Sequence, residues 1–385
     1  MSQQLLPFRF PAPAGGGVDV LIVAGEHSGD EHAARLVREL AAMRPGLRVA
    51  ALGGPELAAA GAQLLHNLTA SSVVGFVEVL KNYSFFKALF EETLRWIGEH
   101  RPRAVCFVDY PGFNLRLAAA LRERGLSVKG GGAVQLLYYI SPQIWAWKGK
   151  RRFTMARDLD ALAVIFPFEV ACYRDTDLPA EFVGHPFLAA DYVPPVRHDP
   201  GGPVLLLPGS RVQAVERIYP ILLAAYRKYR ADGGEREAVV IYPSEEVAAV
   251  LRRHEAQGCR LAPTGEPVVA AAVLTSSGTM SLHCALAGIP GAIAYRTNPI
   301  TYLLARWWVK LDYIGIANLL LKEPMYPEYI QGAATAEALA VELQAGLADP
   351  ARLAGTQRQA EALRTLLDQP AGGTAADWLA RRIGA

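Results

Sequence analysis

Cysteine is scarce in this chain: four in 385 residues, at positions 106, 172, 259 and 284, with no C-x-x-C pair among them. They read as reduced, buried side chains of a reducing compartment rather than as a disulfide framework. Charge of neither sign prevails, since 39 Lys and Arg stand against 37 Asp and Glu. Bulk charge therefore selects no partner, and any attraction to anions must come from local clusters. The first residues, MSQQLLPFRFPAPAGGG, lack the basic region and apolar run of a secretion signal. No apolar stretch reaches the roughly 20 residues that a membrane span needs. The expectation is a soluble protein, or one that lies on a membrane without crossing it. There is no short tandem repeat.

What the chain does contain is a series of short apolar runs separated by amphipathic segments. Runs at 18–24 (VDVLIVA), 48–52, 104–108, 135–140, 164–166 and 181–183 read as buried parallel strands, with a helix expected over 31–40. A second series follows at 204–207, 238–242, 270–275 and 291–295. Strands that alternate with helices predict an α/β fold, each sheet doubly wound. Between the series, Pro, Gly and charge replace the apolar pattern (YVPPVRHDPGGP). The division expected is a loose arm over 1–17, a first domain over 18–187, a linker over 188–203, a second domain over 204–350 and a helical tail over 351–385. A cleft between two such domains is the natural place for a ligand.

Four junctions carry residues suited to chemistry. Residues 25–30 (GEHSGD) sit where the first strand gives way to its helix. Ser28 and Glu31 have the spacing of a capping box, while Gly25 and Gly29 permit tight turns at a helix start that attracts anions. His27, Asp30 and His32 match no common metal-site spacing. Asp109 ends the run 104–108 and precedes Tyr110-Pro111-Gly112. It is either a base facing the crevice or a cap on the turn before the proline. Residues 205–211 (LLLPGSR) place Gly209, Ser210 and Arg211 at a strand-to-helix turn where backbone N–H groups and a planar guanidinium can meet phosphate. It is not a Walker loop, because no G-K-[ST] follows. Ser277, Gly278 and Thr279, in SSGT (276–279), form a second such junction, although Ser, Gly and Thr also cap helices for structural reasons alone.

Three further segments have two readings each. Residues 73–90 (VVGFVEVLKNYSFFKALF) are a strand and core helix, or a lipid-facing patch helped by Lys81 and Lys87. Trp307, Trp308 and Lys310 are an interfacial anchor or part of a buried helix. Lys148, Lys150, Arg151 and Arg152, just after Trp145 and Trp147, are a solvated surface or a site for an anionic acceptor or headgroup.

Taken in order, these segments resemble the lipid-A-disaccharide synthase family. The matching blocks are AGEHSGD (24–30), GFVEVL (75–80), DYPGFN (109–114), YYISPQIWAW (138–147), PFE (167–169), FVGHP (182–186), LLLPGSR, SSGT, AYR (294–296) and KLDYIGIANLL (310–320). They span about 20–331, and the DYPGFN and SPQIWAW blocks are far more specific than any Gly-rich turn. The resemblance implies the GT-B arrangement of two facing Rossmann-like domains. It implies an inverting transfer from UDP-2,3-diacylglucosamine to 2,3-diacylglucosamine 1-phosphate with release of UDP, at the cytosolic face of the inner membrane, with no metal, no cofactor and no nucleic acid. Asp109 falls on the proposed base, Arg211 on an arginine near the nucleotide phosphates, and Glu26, Ser28 and Asn318 on other positions of the family's cleft.

Two positions depart from the family. His283 stands where the family usually carries a Glu suited to the ribose diol, and Ala214 where it tends to carry another Glu, with Glu216 two residues on. His283 is expected one turn into the helix after SSGT, either beside the ribose or on the helix surface. These departures keep two other readings open: a different UDP-sugar enzyme of the same fold, such as an epimerase, and a nucleotide- or lipid-binding relative without catalysis.

Overall fold

The computed structural model describes residues 9–72, 83–254, 258–298, 302 and 312–384. The chain folds as two compact units, residues 1–186 with 369–385, and residues 187–368. Residues 73–82 of the apolar segment, and Trp307, Trp308 and Lys310, lie outside the described residues.

The first unit is built on seven parallel strands: β1 Val20–Ala24, β2 Val49–Gly53, β3 Gln63–Asn67, β4 Ala104–Val108, β5 Gln135–Tyr139, β6 Ala161–Val164 and β7 Ala180–Phe182. Their order is β3-β2-β1-β4-β5-β6-β7. β1 and β4 are buried at every residue, as strands covered by helices on both faces must be. The helices His27–Met43, Tyr83–His100, Pro111–Glu123 and Arg151–Asp158 pack around this sheet, and Trp96 is fully buried. The end of the chain returns to the same unit: helix Ala375–Ile383 buries Trp378 completely, and Arg381 and Arg382 both pair with Glu181 of β7. Residues before β1 are also anchored here, for Phe10 is buried, its N–H donates to Glu92, and Trp96 Nε1 donates to the Pro11 carbonyl.

The second unit repeats the topology. β9 Val204–Leu207, β10 Ala238–Tyr242, β11 Cys259–Pro263, β13 Ala272–Thr275, β14 Gly291–Tyr295 and β15 Glu328–Ile330 form a parallel sheet in the order β11-β10-β9-β13-β14-β15. β8 Val196–His198 and β12 Val268–Ala270 make a separate parallel pair. Helices Val212–Ala231 and Ala336–Ala348 bury their apolar faces on the main sheet.

Three expectations are corrected. The run 270–275 is two strands broken at Ala271, because β12 pairs with β8 while β13 pairs with β9 and β14. The strand expected at 164–166 runs over Ala161–Val164 instead. Phe166 is buried but caps the 3-10 helix Pro167–Tyr173, so its apolar character reflects packing rather than ladder pairing. The first helix starts at His27 rather than 31, with Glu26 as its N-cap. Ser28 lies inside its first turn and does not cap it.

Candidate active site

Each unit reverses its strand order at one place, between β1 and β4 in the first and between β9 and β13 in the second. In open parallel sheets the crevice at the carboxyl ends of such neighbours is where ligands bind.

In the first unit the two relevant motifs meet there. β1 and β4 run side by side, from Val20 opposite Ala104 to Ala24 opposite Val108, so 25–30 and 109–114 leave the sheet together. A Cβ on Gly25 would come within 2.2 Å of the Tyr110 ring, so only glycine lets that ring lie across the turn. Asp109 and Tyr110 both have left-handed backbones, φ 47° and 51°. That conformation is costly for residues other than glycine and persists where the surroundings hold it. The Asp109 carbonyl accepts from Tyr138 Oη at 2.6 Å and from Asn114 Nδ2 at 2.7 Å, and its N–H donates to the Tyr139 carbonyl at 3.0 Å. With the backbone held on three sides, the half-buried Asp109 side chain has a fixed origin at the end of β4.

At the neighbouring strand end are Glu26, the N-cap of helix His27–Met43, and Ser28 in its first turn, both half-buried. Asp30 is committed elsewhere: its carboxylate, 1% exposed, accepts from the N–H groups of Gly54 at 2.7 Å and Glu56 at 3.0 Å. Among the described residues no three His, Cys, Asp or Glu side chains are grouped to hold a metal ion.

In the second unit the equivalent junctions expose backbone. Gly209 turns at φ 117°, and helix Val212–Ala231 starts after Arg211, which is exposed with Ser210. β13 ends beside β9, with Thr275 opposite Leu207 and the Ser276 N–H donating to the Leu207 carbonyl at 2.8 Å. Helix Thr279–Leu286 then starts from Gly278. Neither helix has a side chain capping its first turn. Two helix starts therefore lie at neighbouring strand ends, with Arg211 at the N-cap of the first, an arrangement whose amides are suited to an anion.

Two residues that the family motif would place in the site are held within the second unit. His283 does lie one turn into its helix but is 8% exposed, which corrects the helix-surface alternative. Its ring lies 3.8 Å from the Phe187 ring, centre to centre, and stacks on Tyr192. Asn318 is fully buried: Nδ2 donates to the Tyr326 carbonyl and Glu328 Oε1, and Oδ1 accepts from the Tyr326 N–H. Glu328 also accepts from the N–H groups of Ile314 and Gly315, so the pair fixes the start of helix Ile316–Leu321. Ala214 is half-buried by Gly209, whereas Glu216 is exposed and pairs with Arg253 at 3.6 Å.

Sequence reading passed over Tyr138, Asn114, Glu169 and Glu328. A Tyr and an Asn at positions the apolar pattern assigns to the core are the signal, because buried polar groups need partners. Glu169 is 1% exposed, takes the Phe166 N–H at 3.1 Å and is pushed by burial up to about 8.

Comparison with known proteins bears on the family and the fold. Residues 20–381 match the family described as lipid-A-disaccharide synthetase. Lipid-A-disaccharide synthase 1 of Legionella pneumophila (strain Paris) is 37% identical over 81% of this chain and 83% of its own. The synthase of Nitrosococcus oceani is 35% identical over 93% and 94%. Among solved structures, the glycotransferase of kitacinnamycin superposes with a TM-score of 0.56 at 15% identity, covering 96% of this chain and all of that one. A putative UDP-N-acetylglucosamine 2-epimerase from Listeria monocytogenes gives 0.57 at 10% identity, covering 93% and 99%. These two share the fold alone. The sequence relatives go further: the chain belongs to the lipid-A-disaccharide synthetase family.

Proposed function

We propose that this chain joins UDP-2,3-diacylglucosamine to 2,3-diacylglucosamine 1-phosphate, with Asp109 as the base on the acceptor side. That it is a glycosyltransferase forming the lipid A disaccharide follows from its family. The observation that carries the finer reading is the Asp109 turn, where an unfavourable backbone is held by Tyr138, Asn114 and Tyr139.

In the transfer the acceptor hydroxyl oxygen bonds to the anomeric carbon as the bond from that carbon to the UDP oxygen breaks. The hydroxyl proton passes to Asp109, and the electron pair of the broken bond leaves with UDP. Direct displacement inverts the anomeric centre. The negative charge growing on UDP is met by Arg211 and the amides after Gly209 and Gly278. Glu26 and Ser28 flank Asp109 and bind the acceptor. Ser277, Gly278, Thr279 and Ser210 hold the diphosphate. His283 and Asn318 support the nucleotide side through the elements they fix. No cofactor or metal enters the reaction.

Among the described residues no helix is long and apolar enough to cross a membrane. Peripheral attachment to the cytosolic face of the inner membrane is part of this reading, with Phe85 and Phe86 as its candidate contacts: they are half-buried at the start of helix Tyr83–His100 and pack partly on the core of the first unit. Replacing both by Ser should lower liposome binding without unfolding the protein. Unchanged binding, or unfolding, removes them from the membrane surface.

Measuring UDP release and the fate of the sugar, with and without a diacylated acceptor, tests the whole reading. The expected result is UDP release that depends on acceptor, with a disaccharide product. Turnover of the UDP-sugar alone would identify an epimerase, and turnover of neither a binding protein.

A further inference from the structure

The segment after β5, the strand next to β4, carries a cluster of cations. β4 and β5 are paired along their length, Val108 opposite Tyr139, so Asp109 and Ile140 leave the sheet at neighbouring strand ends. Four of the non-glycine left-handed residues lie in these two turns: Asp109, Tyr110, Ile140 (φ 65°) and Lys148 (φ 54°).

Tyr138 ties the two turns together. Its hydroxyl donates to the Asp109 carbonyl. Burial holds that hydroxyl well above its ordinary pKa, the Asp109 charge reinforces the effect, and the Arg151 guanidinium opposes it.

Arg151 belongs to a group of cations around an exposed aromatic ring. Trp147 is 41% exposed, with Lys148 Nζ 4.2 Å and Arg151 Cζ 5.8 Å from its ring centre. The other arginine of the run, Arg152, pairs with Asp175 at 2.5 Å, and Arg157, further along the helix, with Asp158 at 2.8 Å. Among the described residues no carboxylate pairs with Lys148, Lys150 or Arg151. Glu169, which acts on the nearby Tyr173 together with Arg151, is largely neutral at pH 7 and does not supply the missing charge.

We propose that Arg151, with Lys148 and Lys150, binds the phosphate monoester of the acceptor sugar and so brings the attacking hydroxyl to Asp109. The guanidinium offers two parallel donors to phosphate oxygens, and the ammonium groups add charge without fixed geometry. The inference rests on the reading of Asp109 as the acceptor-side base.

The test compares diacylglucosamine acceptors with and without the phosphate, in non-ionic detergent micelles, for the wild type, Arg151→Gln and Lys150→Ala. The wild type should prefer the phosphorylated acceptor by at least tenfold in kcat/KM. Arg151→Gln should reduce that preference about tenfold or more, chiefly through KM, with the Kd for UDP unchanged. Lys150→Ala, at an exposed position, should reduce it several-fold, and it decides the matter if Arg151→Gln does not fold. An unchanged preference, or equal losses on both acceptors, overturns the proposal. So does a loss seen only on phosphatidylglycerol vesicles and absent in neutral micelles, which would assign the cations to lipid headgroups. Failure of the wild type on both acceptors is a different outcome, and it overturns the proposed function instead.

Discussion

The two units share one sheet topology and place their candidate sites at the same point of it, yet the turns differ in kind. In the first, non-glycine residues are held in left-handed backbone to aim a carboxylate. In the second, Gly209 takes the unusual φ, and two helix starts carry no side-chain cap. One turn is built to place a side chain and the other to expose main chain. A base needs a single positioned atom, whereas a diphosphate needs several weak donors. The distribution of turn residues matches that division of labour.

The comparison predicts that loss of one side chain is worse in the first unit than in the second. Asp109→Asn keeps shape and removes the proton acceptor, so kcat should fall by about a hundredfold or more. Turnover of a folded Asn variant, with UDP affinity measured alongside, checks this. Near-normal turnover would mean that the strained turn serves packing rather than chemistry.

Glu169 tests how the first unit is held. Burial raises its carboxyl from 4.5 to about 8, so between those values the folded protein keeps a proton that the unfolded chain has released. The folded state therefore binds more protons, and stability falls as pH rises through that window. The expected drop between pH 5 and pH 8 is roughly 3–4 kcal/mol. In Glu169→Gln, where nothing ionises, that part of the slope should vanish, while the amide oxygen can still take the Phe166 N–H. Denaturant titrations at pH 5 and pH 8 measure it, and identical slopes in both proteins would show that the carboxyl ionises with its ordinary pKa.

Much of this was legible in the sequence because a parallel sheet between helix layers writes itself as continuous apolar runs. β1, β4, β9 and β10 are such runs. The edge strands β3, β11 and β15 are partly exposed, carry Gln, His, Arg or Glu, and leave no run to find. The site was legible where a motif ends a strand, as at Asp109 and Gly209. It was not legible where polar side chains are buried far from their partners in sequence: Tyr138 under Asp109 is 29 residues away. His283 shows the same limit, since its helical position follows from spacing but its burial comes from Phe187 and Tyr192.

In the proposed function the amides of the second unit share the diphosphate with Arg211, so a charge-conserving change should cost less than Asp109→Asn. Arg211→Lys keeps a positive charge and loses the bidentate fork. A fall of about tenfold in kcat/KM is expected, with UDP binding weakened to a similar degree. A loss as large as that of Asp109→Asn would erase the contrast between the two turns.

The smallest effect concerns Glu216, and it sharpens what the second unit lacks. The resemblance implies a Glu at the position of Ala214, and Glu216 is the carboxylate two residues on. Two residues along a helix turn a side chain by roughly 200°, away from the face that Ala214 shares with the Gly209 turn. Glu216 is accordingly exposed, with its carboxylate 3.6 Å from Arg253. A solvent-exposed pair of this kind contributes about 0–1 kcal/mol. Glu216→Ala should therefore change stability by no more than that and leave the Kd for UDP within about twofold. Calorimetric titration with UDP decides it: a tenfold weaker complex would mean that Glu216 turns toward the nucleotide and compensates for Ala214.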